Sequence, residues 1–396
     1  MTRSLQESRH ARWAIAAVLG VLALLTGACS TTQIGAAASA EEAQQDLVYV
    51  GTQAHQIHAL RFDVSTGKLT LIGPVETGLQ STWVASHPQL SMLYAVDDDS
   101  AKQGSVTAFA VDRATGALTK VNAVDAGGSG TTNLSLDMPS MTLLAANYGS
   151  GSVSSIVVNR DGSLGSRVST VKETGSGPNR RQASAHAHNA MIDPSGRYAL
   201  VSDLGADRVF VYGFDGASHA LSSDGEGGAD NVRSFVAPPG SGPRHLIFGL
   251  NGQFVYLLTE LSAEIMVLRW DPSQGHLTLV QTLPITSREF EGVKSGAELA
   301  VSRDGRFVYV ENRGENALAV YRISPGSGTL SLVQRASSGG ERPWGFAIDP
   351  SGKWMLVANQ RSGKVNVFSI DPVSGKVTAT GESAEIPTPV SIAFVK

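Results

Sequence analysis

The chain has 396 residues, a formal net charge of −4, 17% charged residues and one cysteine, with 43 glycines. Charged residues fall below the roughly 25% of an average globular chain, and no Lys/Arg cluster follows the N-terminal region, which argues against a nucleic-acid partner. A lone cysteine excludes a disulfide framework, and the lack of long helical periodicity together with abundant glycine indicates an all-β chain rich in turns.

In chain order, the first segment is not expected to belong to the fold. Arg3, Arg9 and Arg12 precede the apolar run Trp13–Leu25, which is too short to span a bilayer and reads as the core of an export signal over residues 1–28. The run ends in LTGAC, and this resembles the lipobox of bacterial lipoproteins. The resemblance implies acylation of Cys29, an exported membrane-anchored protein held by its lipid, and a flexible tether over 29–46.

The remainder, 47–396, repeats one unit seven times. A hairpin phrase with a D/N-x-x-(S/T)-G type turn starts at His55, Gly104, Gly151, Asp207, Ala263, Asn316 and Gly363. Spacings of 47 to 56 residues and dense β-branched and aromatic alternation predict a seven-bladed β-propeller with four antiparallel strands per blade. A second phrase precedes most hairpins, as in AMIDPSGRYALVSDLG and FAIDPSGKWMLVANQR: an inner strand, a tight turn, and a second strand ending in Asp, Glu or Asn. LVYVGT from Leu47 lacks an inner strand before it, and TPVSIAFVK has nothing after it. The C-terminal strand is therefore expected to complete the first blade and close the ring, leaving a single domain.

Strands that alternate in direction place the residues before each inner strand on the same rim as those after each second strand. That rule gathers His186, His188, Arg244, His245, Glu298 and Arg342 from the first set. From the second come Asn147, Asp203, Glu260, Asn312, Arg313 and Asn359. Convergent polar groups at one mouth suit a small-molecule site. His186 and His188 are two apart, so in an extended segment both side chains are expected to point the same way.

Four stretches then resemble one family: RQASAHAHNAMIDPSGRYALVSDLGADRVFVY, GSGPRHLIFGLNGQFVYLLTEL, VSRDGRFVYVENRGENALAVY and GERPWGFAIDPSGKWMLVANQRSGKVNVF. They look like signature stretches of the seven-bladed lactonase family, which includes propeller-type 6-phosphogluconolactonases and is similar to fungal carboxy-muconate cyclases. The resemblance covers nearly all of the chain after the tether. It implies a lactone substrate and a catalytic set of one histidine (His186 or His188), Arg244, Glu260 and Arg313. His245, Asp203, Asn147, Asn312, Arg342 and Asn359 are the expected substrate-binding neighbours, with Asp203 placed to orient a histidine. The chain departs from the family pattern at Ala185, where proline is typical, and at the DDD of Asp97–Asp99, where glutamate is common.

Lactone hydrolysis needs a base for water, a home for the oxyanion and a proton for the leaving alkoxide. A histidine is the natural base, an arginine stabilises the oxyanion or clamps an anionic group, and Glu260 either orients the histidine or acts as the acid. No G-x-S-x-G elbow suggests a serine nucleophile. The working expectation is a monomeric lactonase without cofactor. The alternatives are calcium held by the oxygen-bearing residues of the mouth, a muconate-type cyclase, and a tethered propeller that binds a ligand or protein without chemistry.

Overall fold

The computed structural model describes residues 45–222 and 233–395. The expected signal, tether and acylated Cys29 lie outside the described residues. Twenty-nine strands form seven antiparallel sheets, and no helix occurs among the described residues. The seven-bladed ring expected from the repeats is the observed fold. Blade 1 takes its inner strand from the C-terminus: Pro389–Val395 pairs with Gln45–Thr52, with Val395 opposite Leu47 and Ala393 opposite Tyr49. Blades 2 to 7 follow as 84–129, 131–172, 187–236, 243–284, 296–337 and 343–385.

The propeller has no single core. Apolar side chains gather in seven clusters, one in each gap between neighbouring blades. The second strands explain this. In blade 6, Val308 and Val310 pack towards blade 5 while Phe307 and Tyr309 pack towards blade 7. A strand covered on both faces therefore reads as an unbroken apolar run, and each fully buried large side chain contributes about 1.5–3 kcal/mol. Tyrosines on second strands also fasten one blade to the next. Tyr49 donates to the Gly116 carbonyl, Tyr94 to that of Gly162 and Tyr256 to that of Gly328.

The turn phrases are mostly structural. The Asp193 carboxylate accepts from the backbone N–H groups of Ser195, Arg197 and Tyr198, and Asp349 repeats the pattern with Ser351, Lys353 and Trp354. These Asx-type bonds account for the D-P-S-G repeats on the far rim. On the other rim, the turn from second to third strand carries a residue of positive φ in six blades, namely His55, Gly151, Asp207, Ala263, Asn316 and Gly363.

One irregularity shapes the site. The inner strand bulges at the same place in blades 1 and 3 to 7. The extra residue is Thr132 in blade 3, His188 in blade 4, Arg244 in blade 5 and Trp344 in blade 7. A bulge re-aims a side chain that regular pleating would bury between sheets. Here it aims two successive residues, such as Arg244 and His245, at the central mouth.

Candidate active site

Glu260 is the hub of that mouth. It follows the second strand of blade 5 and is buried. Its Oε1 accepts from Arg181 Nη1 at 2.5 Å and from Arg313 Nη2 at 2.6 Å, while Oε2 accepts from Arg244 Nε at 3.2 Å. Burial by itself raises the carboxyl pKa. Arg313, Arg244 and Arg181 outweigh it and hold Glu260 at about 2, so it is a carboxylate at any physiological pH. Arg244 also donates through Nη1 to the Ala297 carbonyl, and Arg313 through Nε to Ser295 Oγ at 3.0 Å. The Arg313 guanidinium lies 4.3 Å over the Trp344 ring, with that of Arg342 at 5.5 Å.

The histidines surround this nest. His188 Nε2 lies 3.8 Å from Glu260 Oε2, beyond the reach of a direct hydrogen bond. Burial, then the charges of Arg244 and His245, push the His188 pKa well below its usual value, so the ring is neutral and able to accept a proton. His186 differs in setting. It sits just before the inner strand, half-buried, stacked on Tyr148 at 4.5 Å, and its Nδ1 donates to the Tyr148 carbonyl at 2.8 Å. That bond fixes the orientation of the ring. Both histidines meet the same Tyr148 ring, His186 on its face and His188 at its edge. Beneath them, His245 Nδ1 donates to Glu298 Oε1 at 2.8 Å and packs edge-on against His188 at 5.1 Å and Trp83 at 5.4 Å.

The structure thus brings His186, His188, Arg244, His245, Glu260, Arg313 and Arg342 to one mouth. It places Asn147, Asn312, Asn359 and Asp203 differently. Each ends a second strand, is fully buried, and spends its side chain on the backbone and turns. Asn147 donates to the Ala126 carbonyl and accepts from Thr131 Oγ1. Asn312 bonds Glu315, and Asn359 bonds Ser338. Asp203 Oδ1 accepts from the N–H groups of His186 and Ala206, so it holds the histidine loop by its main chain. The residues one step later are Gln53, Asp98, Tyr148, Leu204, Glu260, Arg313 and Gln360, and of these Tyr148, Glu260 and Arg313 meet the histidines and arginines of the mouth. The three asparagine oxygens already accept hydrogen bonds, both Glu260 oxygens hold guanidiniums, and the described residues contain no cluster of three His, Cys, Asp or Glu suited to a metal.

Arg181 was missed from sequence, although it opens the RQ–HxH stretch. It lies five residues before His186 in a loop, where strand counting assigns no rim position. Its signal was local: Asn179 caps the turn that carries it, and Gln182, bonded to Asp207 and the Leu204 carbonyl, pins the loop to the mouth.

A family model described as "Lactonase, 7-bladed beta-propeller" matches residues 47–394. The chain belongs to the seven-bladed β-propeller lactonase family. The 6-phosphogluconolactonase of Bacillus subtilis is 33% identical over 337 residues, covering 84% of this chain and 93% of its own. That of Formosa agariphila is 30% identical, covering 74% and 82%. Among solved structures, the periplasmic gluconolactonase of Pseudomonas aeruginosa superposes with a TM-score of 0.80 at 34% identity, covering 89% of this chain and 99% of that one. In this lactonase-family propeller the Glu260 nest opens into a cavity of about 530 Å³. Arg180, Arg181, Lys294, Arg313 and Arg342 line it, and Glu260 is its one lining carboxylate. Such an excess of positive charge in a concave site favours an anion.

Proposed function

We propose that the protein hydrolyses a lactone that carries an anionic group, phosphate or carboxylate, remote from the reacting ester. The observation that carries this reading is Glu260 spread over three guanidiniums, 3.8 Å from a neutral His188. His188 Nε2 takes a proton from the attacking water as that water adds to the lactone carbonyl. Arg244 and Arg313 meet the oxyanion, and their geometry is fixed in advance by Glu260, so little reorganisation accompanies charge development. Arg180, Arg181, Lys294 and Arg342 hold the remote anion. Glu260 is thereby an organiser of cations, and its low pKa makes it unfit to donate a proton. The relatives named 6-phosphogluconolactonase and the gluconolactonase neighbour support an ester of this class.

A panel of aldonolactones with and without a phosphate, followed by base uptake on ring opening, tests the reading. Turnover with kcat/KM higher for phosphorylated members is expected. No turnover of any member overturns it and favours a ligand-binding propeller without chemistry. We also propose that the protein is exported and lipid-anchored through Cys29, as LTGAC implies. Release of a Cys29→Ala variant from the membrane fraction is the expected result.

A further inference from the structure

Ring opening leaves an alkoxide that must be protonated, and Glu260 lacks the proton. Resting on the hydrolase reading, we propose that Asp98 is the catalytic acid, donating a proton to the ring oxygen of the lactone as its bond to the carbonyl carbon breaks. Asp98 occupies in blade 2 the place that Glu260 occupies in blade 5, one residue beyond the second strand. The likeness extends to the partners. Glu260 is bonded by Arg244, which lies two residues before Leu246, the inner-strand residue paired with Leu257 two places before the end of the second strand. Asp98 Oδ2 accepts at 2.7 Å from Thr82 Oγ1, which lies two residues before the corresponding Val84. The intervening residues, Trp83 and His245, touch at 5.4 Å. Blades 2 and 5 are not neighbours in a ring of seven, so this contact crosses the axis. It ties together the two blades that carry Asp98 and Glu260 at equivalent positions.

The two positions are charged differently. Glu260 faces three guanidiniums, whereas no ion pair to Asp98 occurs among the described residues. Lys102 pairs instead with its neighbours Asp97 and Asp99, at 3.0 and 3.5 Å. His55 of blade 1 acts on Asp99, and on the blade 3 side Asp98 faces Gly130, whose carbonyl accepts from Tyr148 N. Burial, only partly offset by Thr82 and reinforced by Asp97 and Asp99, raises the Asp98 carboxyl to about 7. Paired groups whose surroundings drive their pKa values apart are the usual basis for dividing acid from base roles. The step balances as hydrolysis. Water loses a proton to His188 Nε2 and bonds to the carbonyl carbon, the ring C–O bond breaks, and its oxygen takes the Asp98 proton. Solvent then returns a proton from His188 to Asp98.

The test is Asp98→Asn and Asp98→Glu in the full chain, with kcat, KM and kcat/KM measured from pH 5 to 9 on a lactone that the wild type hydrolyses. The wild type is expected to lose kcat above pH 7 as Asp98 ionises. Asp98→Asn is expected to lose about 10²-fold or more in kcat with KM little changed and to lose that limb, and Asp98→Glu to restore part of the rate. Thermal melting supplies a reading independent of turnover. A carboxyl raised in the folded state loses stability as pH rises from 4 to 7, so Asp98→Asn should gain on the wild type at pH 8.5 relative to pH 5. Wild-type rate with an intact limb in a folded Asp98→Asn overturns the acid role while leaving the hydrolase reading standing. A wild type inert towards every lactone overturns both.

Discussion

Arg313 Nη2 donates to Glu260 Oε1 at 2.6 Å, joining blade 6 to blade 5 through a buried ion pair at the centre of the ring. Three cations depend on that carboxylate. Glu260→Gln should destabilise the fold by about 3–5 kcal/mol, because buried guanidiniums lose their counter-charge, and should abolish turnover. The pH dependence follows from the depressed pKa. The stabilisation is fully present above the unfolded value near 4.5 and is lost as pH falls towards about 2. The stability gap between wild type and variant, followed by urea unfolding, should therefore close across that window.

His188 is neutral because it is buried beside positive charge. A base with a depressed pKa stays competent as pH falls, so kcat/KM should not fall from pH 7 to 6, where protonation of Asp98 raises it, and should decline only at lower pH. An acid limb centred at the ordinary histidine value would show that His188 is not the base. His188→Ala should lower kcat by about 10²-fold or more with the fold intact.

Gly205 packs against the histidine loop so closely that a methyl there would run into the Ser184 carbonyl and lie 2.9 Å from His186 Cδ2. Gly205→Ala should displace His186 from Tyr148. The expected result is a fall in kcat larger than the fall in melting temperature accounts for, read from kinetics and melting of the same preparation.

Asn147 and Arg313 separate structural from functional roles. Asn147→Ala strands the Ala126 carbonyl and Thr131 hydroxyl in the interior, and should lower stability by about 1–3 kcal/mol while leaving KM unchanged. Arg313→Ala should raise KM and lower kcat. Equal kinetic damage from both would contradict the division between strand-ending residues and those one step beyond.

Glu173 is a buried carboxyl behind the site, hydrogen-bonded to Asp203 and accepting from Tyr212 Oη at 3.3 Å. Burial first, then the Asp203 charge, hold it protonated well above the usual range. Its folded pKa exceeds the unfolded value, so the stability it supplies declines as pH rises above that value. Glu173→Gln retains a donor to Asp203 without an ionisable proton, and should melt higher than the wild type at pH 8 but not at pH 4.

The amino-acid pattern alone determined the ring, because seven similar phrases with unpaired ends admit one closure, and the period of two assigns each strand residue to a blade gap. It also determined that His188, Arg244, Glu260 and Arg313 share a rim, since strand direction is topological. Which of the rim residues face the mouth was decided only in three dimensions. Asp203 and Asn147 end their strands and turn into the backbone, while Glu260 and Arg313, one residue later, turn to the mouth; a single step reverses the facing of an extended chain. The bulges that aim His188 and Arg244 inward, and the loop that carries Arg181 over Glu260, leave no periodic trace. Charge states, too, were set by tertiary contacts: the same ring position is held ionised at Glu260 by guanidiniums from other segments, while at Asp98 burial with no cation paired to it raises the carboxyl to about 7.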